Sequence, residues 1–375
     1  MNTFKKNGRK LILILLLPII SSAQEGLSVH GYLSQAFAIT DDHTIFGITD
    51  EGTFDYRNLA LQFRYDTDES NTFIVQLSHS RIGISPVMRF SDDVELDWAF
   101  FQHIFDNGLS LKVGKLQLPF GIYNEIRDVG VLLPFYQVPF TPYGETNYTS
   151  ETISGLQFSY EWFWGEWALQ ANLYAGEFSF VEWLIFENPI AGNVNILVEI
   201  AKVRNLIGTQ LWLTTPYEGF RVGLNGMRGE IGDGVAFSDD LLGESDIQLF
   251  LGSLDYSKED YFIRSEYGFF KTAQGVSAHT IYGHSGFRFA EDFSLNVQAS
   301  LYHLQDLPLY LGLSRDEVDF FVDYAFGINF FMTNSIVLKA ETHWNKGYLV
   351  EDESTNFSFP ASKTIYSIIS LSSSF

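Results

Sequence analysis

Residues 318–330 read VDFFVDYAFGINF. The even positions, Val318, Phe320, Val322, Tyr324, Phe326, Ile328 and Phe330, are all apolar or aromatic. The odd positions, Asp319, Phe321, Asp323, Ala325, Gly327 and Asn329, are mostly polar or small. Successive side chains of a β-strand point to opposite faces, so this run is a strand with one apolar and one polar side. The same period returns in 293–301, where Phe293, Leu295, Val297, Ala299 and Leu301 alternate with Ser294, Asn296, Gln298 and Ser300. It returns again in 336–344, where Ile336, Leu338, Ala340, Thr342 and Trp344 alternate with Val337, Lys339, Glu341 and His343. About ten residues of such alternation is the length of a tilted strand crossing a bilayer.

The breaks between these runs are of two kinds, and they alternate. Seven tight turns fall near residues 66–71, 106–108, 163–165, 215–218, 258–259, 290–291 and 332–334. Eight longer loops fall near 40–56, 82–94, 119–152, 177–203, 230–245, 271–278, 304–317 and 346–363. Seven turns and eight loops join sixteen strands and put both termini on the turn side. This predicts an all-β fold, a transmembrane antiparallel barrel of sixteen strands with short periplasmic turns and long extracellular loops. Closure is forced, because an open sheet edge in lipid leaves backbone groups unpaired at several kcal/mol each. A secreted β-sandwich would also alternate. The strand length, the strict turn–loop alternation and the aromatics near strand ends (Trp98, Trp162, Trp164, Trp167 and Trp344) favour the barrel. The last strand, 364–375 (TIYSIISLSSSF), sets Ile365, Ile369, Leu371 and Phe375 on one face and ends on an aromatic.

The ends and the charge agree. Lys5, Lys6, Arg9 and Lys10 precede the ten-residue apolar run 11–20, and Ser21-Ser22-Ala23 follows, so 1–23 reads as a cleaved signal peptide. Ten residues is about half of a membrane-spanning helix. Residues 24–375 then form one barrel domain. Without the first 23 residues, which hold four bases and no acid, the formal charge moves from −23 to −27. Nucleic acid is excluded as a partner on charge. There is no cysteine, hence no disulfide framework, thiol nucleophile or thiolate metal site. Aromatic content of 16% excludes a disordered acidic chain.

A sixteen-stranded barrel is too wide for its own side chains to fill and holds an aqueous channel. The longest irregular segment, 119–152, is expected to fold inward and narrow it, as long loops without regular structure are usually functional. It carries Asn124, Glu125, Arg127 and Asp128 inside an apolar run. Glu125, Asp128, Glu145 and Glu151 would face basic wall residues across a narrow aqueous gap, a field that screens solutes by charge. Arg127 either pairs with a neighbouring acid or points into the pore. The run 129–135 packs the loop on the wall, with Leu132, Leu133 and Phe135 as anchors. From the alternation, the inward bases are Arg64, Lys112, Arg204, Arg221, Arg264, Arg288 and Lys339. The inward acids are Glu95, Asp97, Glu266, Asp319, Asp323 and Glu341, so the wall is nearly balanced.

The stretch VGKLQLPFGIYNEIRDV, residues 113–129, resembles the corresponding region of the phosphate-selective-porin-like family of Gram-negative outer-membrane proteins. The matching residues are Lys115, Pro119, Phe120 and Gly121; HGYLSQAF, residues 30–37, is similar to the first strand of such porins. The resemblance implies a trimer of sixteen-stranded channels in the outer membrane of a Gram-negative bacterium, with lipid and lipopolysaccharide around it. It also leans towards anions. The balanced wall departs from the many lumen bases of phosphate-selective members, so phosphate transport does not carry over.

No other chemistry competes. The histidines are scattered without metal-binding spacing. Ser78-His79-Ser80 lies on one strand, so serine and histidine point apart. No catalytic residue, metal site or cofactor is expected. The function read from the sequence is passive diffusion of small hydrophilic solutes or ions. The alternatives are a barrel of little conductance serving adhesion or membrane structure, and, less favoured, a barrel enzyme.

Overall fold

A computed structural model describes residues 26–85, 93–144, 149–187, 194–232, 245–273, 275, 277–305, 317–351 and 362–375, without the side chains of 182–199. The expected signal peptide and Glu145 lie outside the described residues. The strands are β1 (Leu27–Thr40), β2 (Thr53–Asp66), β3 (Asn71–Ile82), β4 (Glu95–Ile104), β5 (Ser110–Gln117), β6 (Thr152–Trp164), β7 (Trp167–Glu187) and β8 (Val194–Thr214). They continue as β9 (Phe220–Gly232), β10 (Ser245–Ser257), β11 (Tyr261–Thr272), β12 (Ser277–Ala290), β13 (Phe293–Gln305), β14 (Glu317–Thr333), β15 (Ile336–Gly347) and β16 (Ser362–Ser374). Each pairs antiparallel with its neighbour in sequence, and β16 pairs with β1 to close the barrel. The seam is extended by Phe375, whose N–H donates to the Gly31 carbonyl and whose carbonyl accepts from Gly31 N–H.

The two faces of the opening stretch separate as the alternation requires. Tyr324 and Phe326 are 58% and 41% exposed on the outside, while Asp323 and Ala325 are 2% and 5% exposed inside. With Phe63, Val75, Leu224, Val297 and Ile369 also bare on the outside, the exterior is an apolar band suited to a lipid bilayer.

Bulges overturn four facing assignments. A bulge inserts one residue, and side chains beyond it change sides. In β14 the ladder skips Phe320, so Val318 turns inward and Asp319 outward, beside His303. In β8 the irregularity around Asn205 (φ +50°) turns Arg204 to the outer face, opposite Glu230, while its neighbour Val203 is buried inside. In β4 the ladder skips Asp97, and Trp98 turns into the barrel instead of joining an aromatic girdle.

Residues 177–203, expected as an irregular loop, are largely strand. β7 and β8 each run 21 residues and stay paired through Glu187 and Val194. That is about twice what crosses a bilayer, so this hairpin continues past the membrane. The tip, 188–193, lies outside the described residues.

Candidate solute pathway

The segment between β5 and β6 leaves the strand period at Leu118. It holds two 3-10 turns, Asn124–Ile126 and Gly130–Leu132, and a single helical turn, Phe140–Tyr143. Several of its backbone groups bond to side chains of the inner wall, so it lies within the barrel.

The first anchor is on β8–β12. Gly121 N–H donates to Asn225 Oδ1 at 3.1 Å, Asn225 Nδ2 donates to the Pro119 carbonyl at 3.1 Å, and Gln210 Nε2 donates to the Gly121 carbonyl. Glu266 is the hub. It accepts from Ile122 N–H at 3.0 Å, from Tyr282 Oη at 2.8 Å, and from the hydroxyls of Tyr143 and Ser253. Tyr143 Oη in turn accepts from Ile122 and Tyr123 N–H. Gly121 has φ +60°, and a Cβ there would overlap Tyr143 Oη and crowd Glu266. Only glycine fits this approach.

The second anchor is on β14–β15. Lys339 Nζ donates to the carbonyls of Gly130 (2.6 Å) and Phe135 (2.8 Å), Asn329 Nδ2 to Pro134, and Tyr136 N–H to Glu341 Oε2. Leu133 and Phe135 are buried against the wall as expected. Leu132 is not an anchor: it is exposed, turned away by the 3-10 turn that ends on it.

The free face of the loop carries the charge. Glu125 is exposed to solvent yet ringed by protein. The desolvating effect of the surrounding protein pushes its carboxyl above the usual range, and Lys112 on β5 and Arg221 on β9 pull it back. Arg221 also pairs with Asp255 at 2.8 Å and stacks on Trp212. Beyond Glu125, Arg127 and Asp128 line a cavity of about 240 Å³ together with Asn58, Glu341 and His343. Arg127 Nη1 donates to Asn124 Oδ1 at 3.3 Å. Asp128 accepts from Asn58 Nδ2 at 2.9 Å.

The other expected residues distribute unevenly. Arg264 is tied to Asp255 and to Tyr123 Oη. Arg64 pairs with Asp66 at 3.1 Å near the turn end. Arg288 lies exposed over the Phe331 ring. Two expectations fail. Asn124 is buried and bonds back to the Leu118 carbonyl, closing the loop on itself. Lys339 is 1% exposed because the loop carbonyls it binds cover it, so it holds the loop and faces no water. Ser78 and Ser80 face inward and His79 outward on β3, as strand geometry demands.

Three carboxylates were not grouped by sequence reasoning: Asp97 at the β4 bulge, Asp128 and Glu151 bring ligand atoms within 4.8 Å of one another. They are the one such group among the described residues. Asp97 accepts from Gln76 Nε2 at 2.8 Å. Burial, and then the Asp128 and Asp97 carboxylates, hold Glu151 well above the usual range. Glu266 was expected to face inward, but its role at the loop was not. A mid-strand acid on an inward position was the available signal.

No protein-family model and no curated protein matches the sequence. Solved structures do. The outer membrane channel DcaP of Acinetobacter baumannii aligns with a TM-score of 0.61 at 8% identity, covering 93% of this chain and 97% of that one. The anion-selective porin from Comamonas acidovorans gives 0.59 at 9% identity, over 93% and 99% of the two chains. OmpT of Vibrio cholerae, in a trimer form, gives 0.58 at 12% identity over 93% and 99%. At these identities the likeness is one of architecture, and the finer resemblance to phosphate-selective porins is not reached by it. The chain therefore has the fold of an outer-membrane channel or porin, a closed barrel of sixteen antiparallel strands.

Proposed function

We propose that this barrel is a diffusion channel of the outer membrane for small hydrophilic solutes, and that the segment between β5 and β6 is its constriction. The observation that carries this is the placement of Glu125. It sits on the solvent face of a loop whose other face is bonded to the wall, with Lys112 and Arg221 acting on it. Opposed charges across a gap walled by low-dielectric protein order dipolar solutes and discriminate ions. Arg127 and Asp128, beside their own cavity, extend that charged surface. The resemblance around Lys115–Gly121 is read as shared loop construction, not shared solute: Pro119 and Gly121 bind the wall, and Lys115 donates to the Leu96 carbonyl. A homotrimer is proposed on the likeness to a trimeric neighbour.

Single-channel recording in planar bilayers tests the reading. Discrete conductance steps are expected, and Glu125→Gln should move the reversal potential under a salt gradient towards anions. Absence of steps from heat-modifiable, folded protein would refute the channel. It would favour a second reading, adhesion or membrane structure, which the long β7–β8 hairpin supports.

A further inference from the structure

The outer face of the barrel has a feature that the lumen does not explain. Across β12–β16 the exterior is hollowed into a concavity of about 860 Å³. Its floor is made by small outward residues, Gly283 on β12 and Ala299 on β13. The space beside Gly283 is open where a side chain would stand. Its walls are apolar and bulky: Ile281, Tyr324, Trp344 and Ile365, all exposed. At the loop end, Lys346 and Lys363 close the concavity. They are direct cross-strand partners on β15 and β16, both exposed and both facing outward.

Like charges directly opposite on a sheet destabilise it. Here neither lysine has a hydrogen bond or ion pair among the described residues. Two acids also border the concavity and keep their charge: Asp41 Oδ1 accepts from Ile365 N–H at 2.8 Å, and Asp319 from His303 Nδ1 at 2.8 Å, and neither pairs with a lysine among the described residues. The two adjacent ammonium groups are the part of the rim that an anion would relieve. The level fits as well. Each lysine is one residue from the loop end of its strand, and Gly283 and Ala299 are each six residues in. Five residues at ~3.3 Å each on a strand tilted by ~40° put the floor roughly 13 Å below the lysines. That is about the depth of one leaflet.

We propose that this concavity seats one phosphorylated acyl lipid of the outer leaflet, with Lys346 and Lys363 on a phosphate and the acyl chains over Gly283 and Ala299. The apolar walls replace neighbouring acyl chains, and the lysines supply the charge that distinguishes this lipid from a neutral one. The seat is on the exterior and stands whether or not the lumen conducts.

Native mass spectrometry of the full chain in detergent, with bisphosphorylated lipid A as probe, tests it. Wild type should retain one lipid, and Lys346→Ala/Lys363→Ala should weaken retention about tenfold. Dephosphorylated lipid A should bind wild type and variant alike, at the weaker level. Ala299→Trp should lower binding of both lipids by filling the floor. All variants are checked for heat-modifiable migration, so a folding failure is recognised. Retention unchanged in the double-lysine variant, or indifferent to phosphate, would overturn the proposal. So would a photocrosslinker at position 346 that captures a second copy of this chain in native membranes instead of lipid.

Discussion

Two long insertions leave the loop end of this barrel, and they take opposite courses. The described residues of 118–151 turn into the barrel and bond several of their backbone groups to the wall. Residues 177–187 and 194–203 continue the wall itself as the ends of β7 and β8. The sequence difference is small but decisive. In 177–203 the alternation and the β-formers continue, so each strand satisfies the other's backbone. In 118–151 the period fails at Pro119-Phe120-Gly121, and Gly, Pro and Asn recur. A segment without ladder partners must find others or stay in water. Here the partners wait on inward wall positions: Asn225, Gln210, Glu266, Asn329 and Lys339.

The largest effect comes from removing the hub of the inward segment. Glu266→Leu leaves the Tyr143, Tyr282 and Ser253 hydroxyls without their acceptor, at about 1–3 kcal/mol for each buried group left unpaired. Limited proteolysis should then cut within 118–151 at least tenfold faster, an order of magnitude for ~1.4 kcal/mol, while heat-modifiable migration persists. Glu266→Gln, which keeps an acceptor oxygen, should restore part of the protection. Equal protection in wild type and Glu266→Leu would show that the loop is held by packing alone.

A smaller effect should follow pH. Glu151 has a raised folded-state pKa, so the native state takes up its proton more readily than the unfolded chain does. Its contribution is full below the ordinary glutamate pKa and is lost as pH rises through the raised value. Loop proteolysis should therefore quicken as pH rises above the ordinary glutamate range, and Glu151→Gln should flatten the profile. A profile unaltered by Glu151→Gln would remove the carboxylate cluster from the account. The smallest effect is expected outside: deleting residues 182–199 should leave conductance and migration essentially unchanged. A fall in either would mean that the hairpin is part of the pore.

Much of the wall was legible in the sequence, because burial on one side imposes a period that only strands have. The stretch 318–330 shows the limit as well. Its alternation holds from Phe321 to Phe330 and slips at Phe320, where an unpaired residue carries no mark in composition. The same kind of slip moved Arg204 outside and Trp98 inside. Of the candidate site, the inward facing of Lys112 and Arg221 followed from the alternation. The parts played by Lys339 and Asn124 did not. A charged or amide side chain on an inward position faces either water or a loop backbone, and the choice depends on where a distant segment comes to rest. The Asp97–Asp128–Glu151 group was illegible for the same reason, since it joins a bulge on β4 to two points of the loop that are far apart in sequence.

The central claim is that the solvent face of the inward loop borders the path of ions. The chain has no cysteine, so Glu125→Cys would carry its only thiol. Reaction of that thiol with a cationic methanethiosulfonate reagent during single-channel recording should reduce the conductance stepwise. The same reagent on Leu133→Cys, buried against the wall, should do nothing. Unchanged conductance after demonstrated labelling of residue 125 would contradict the account.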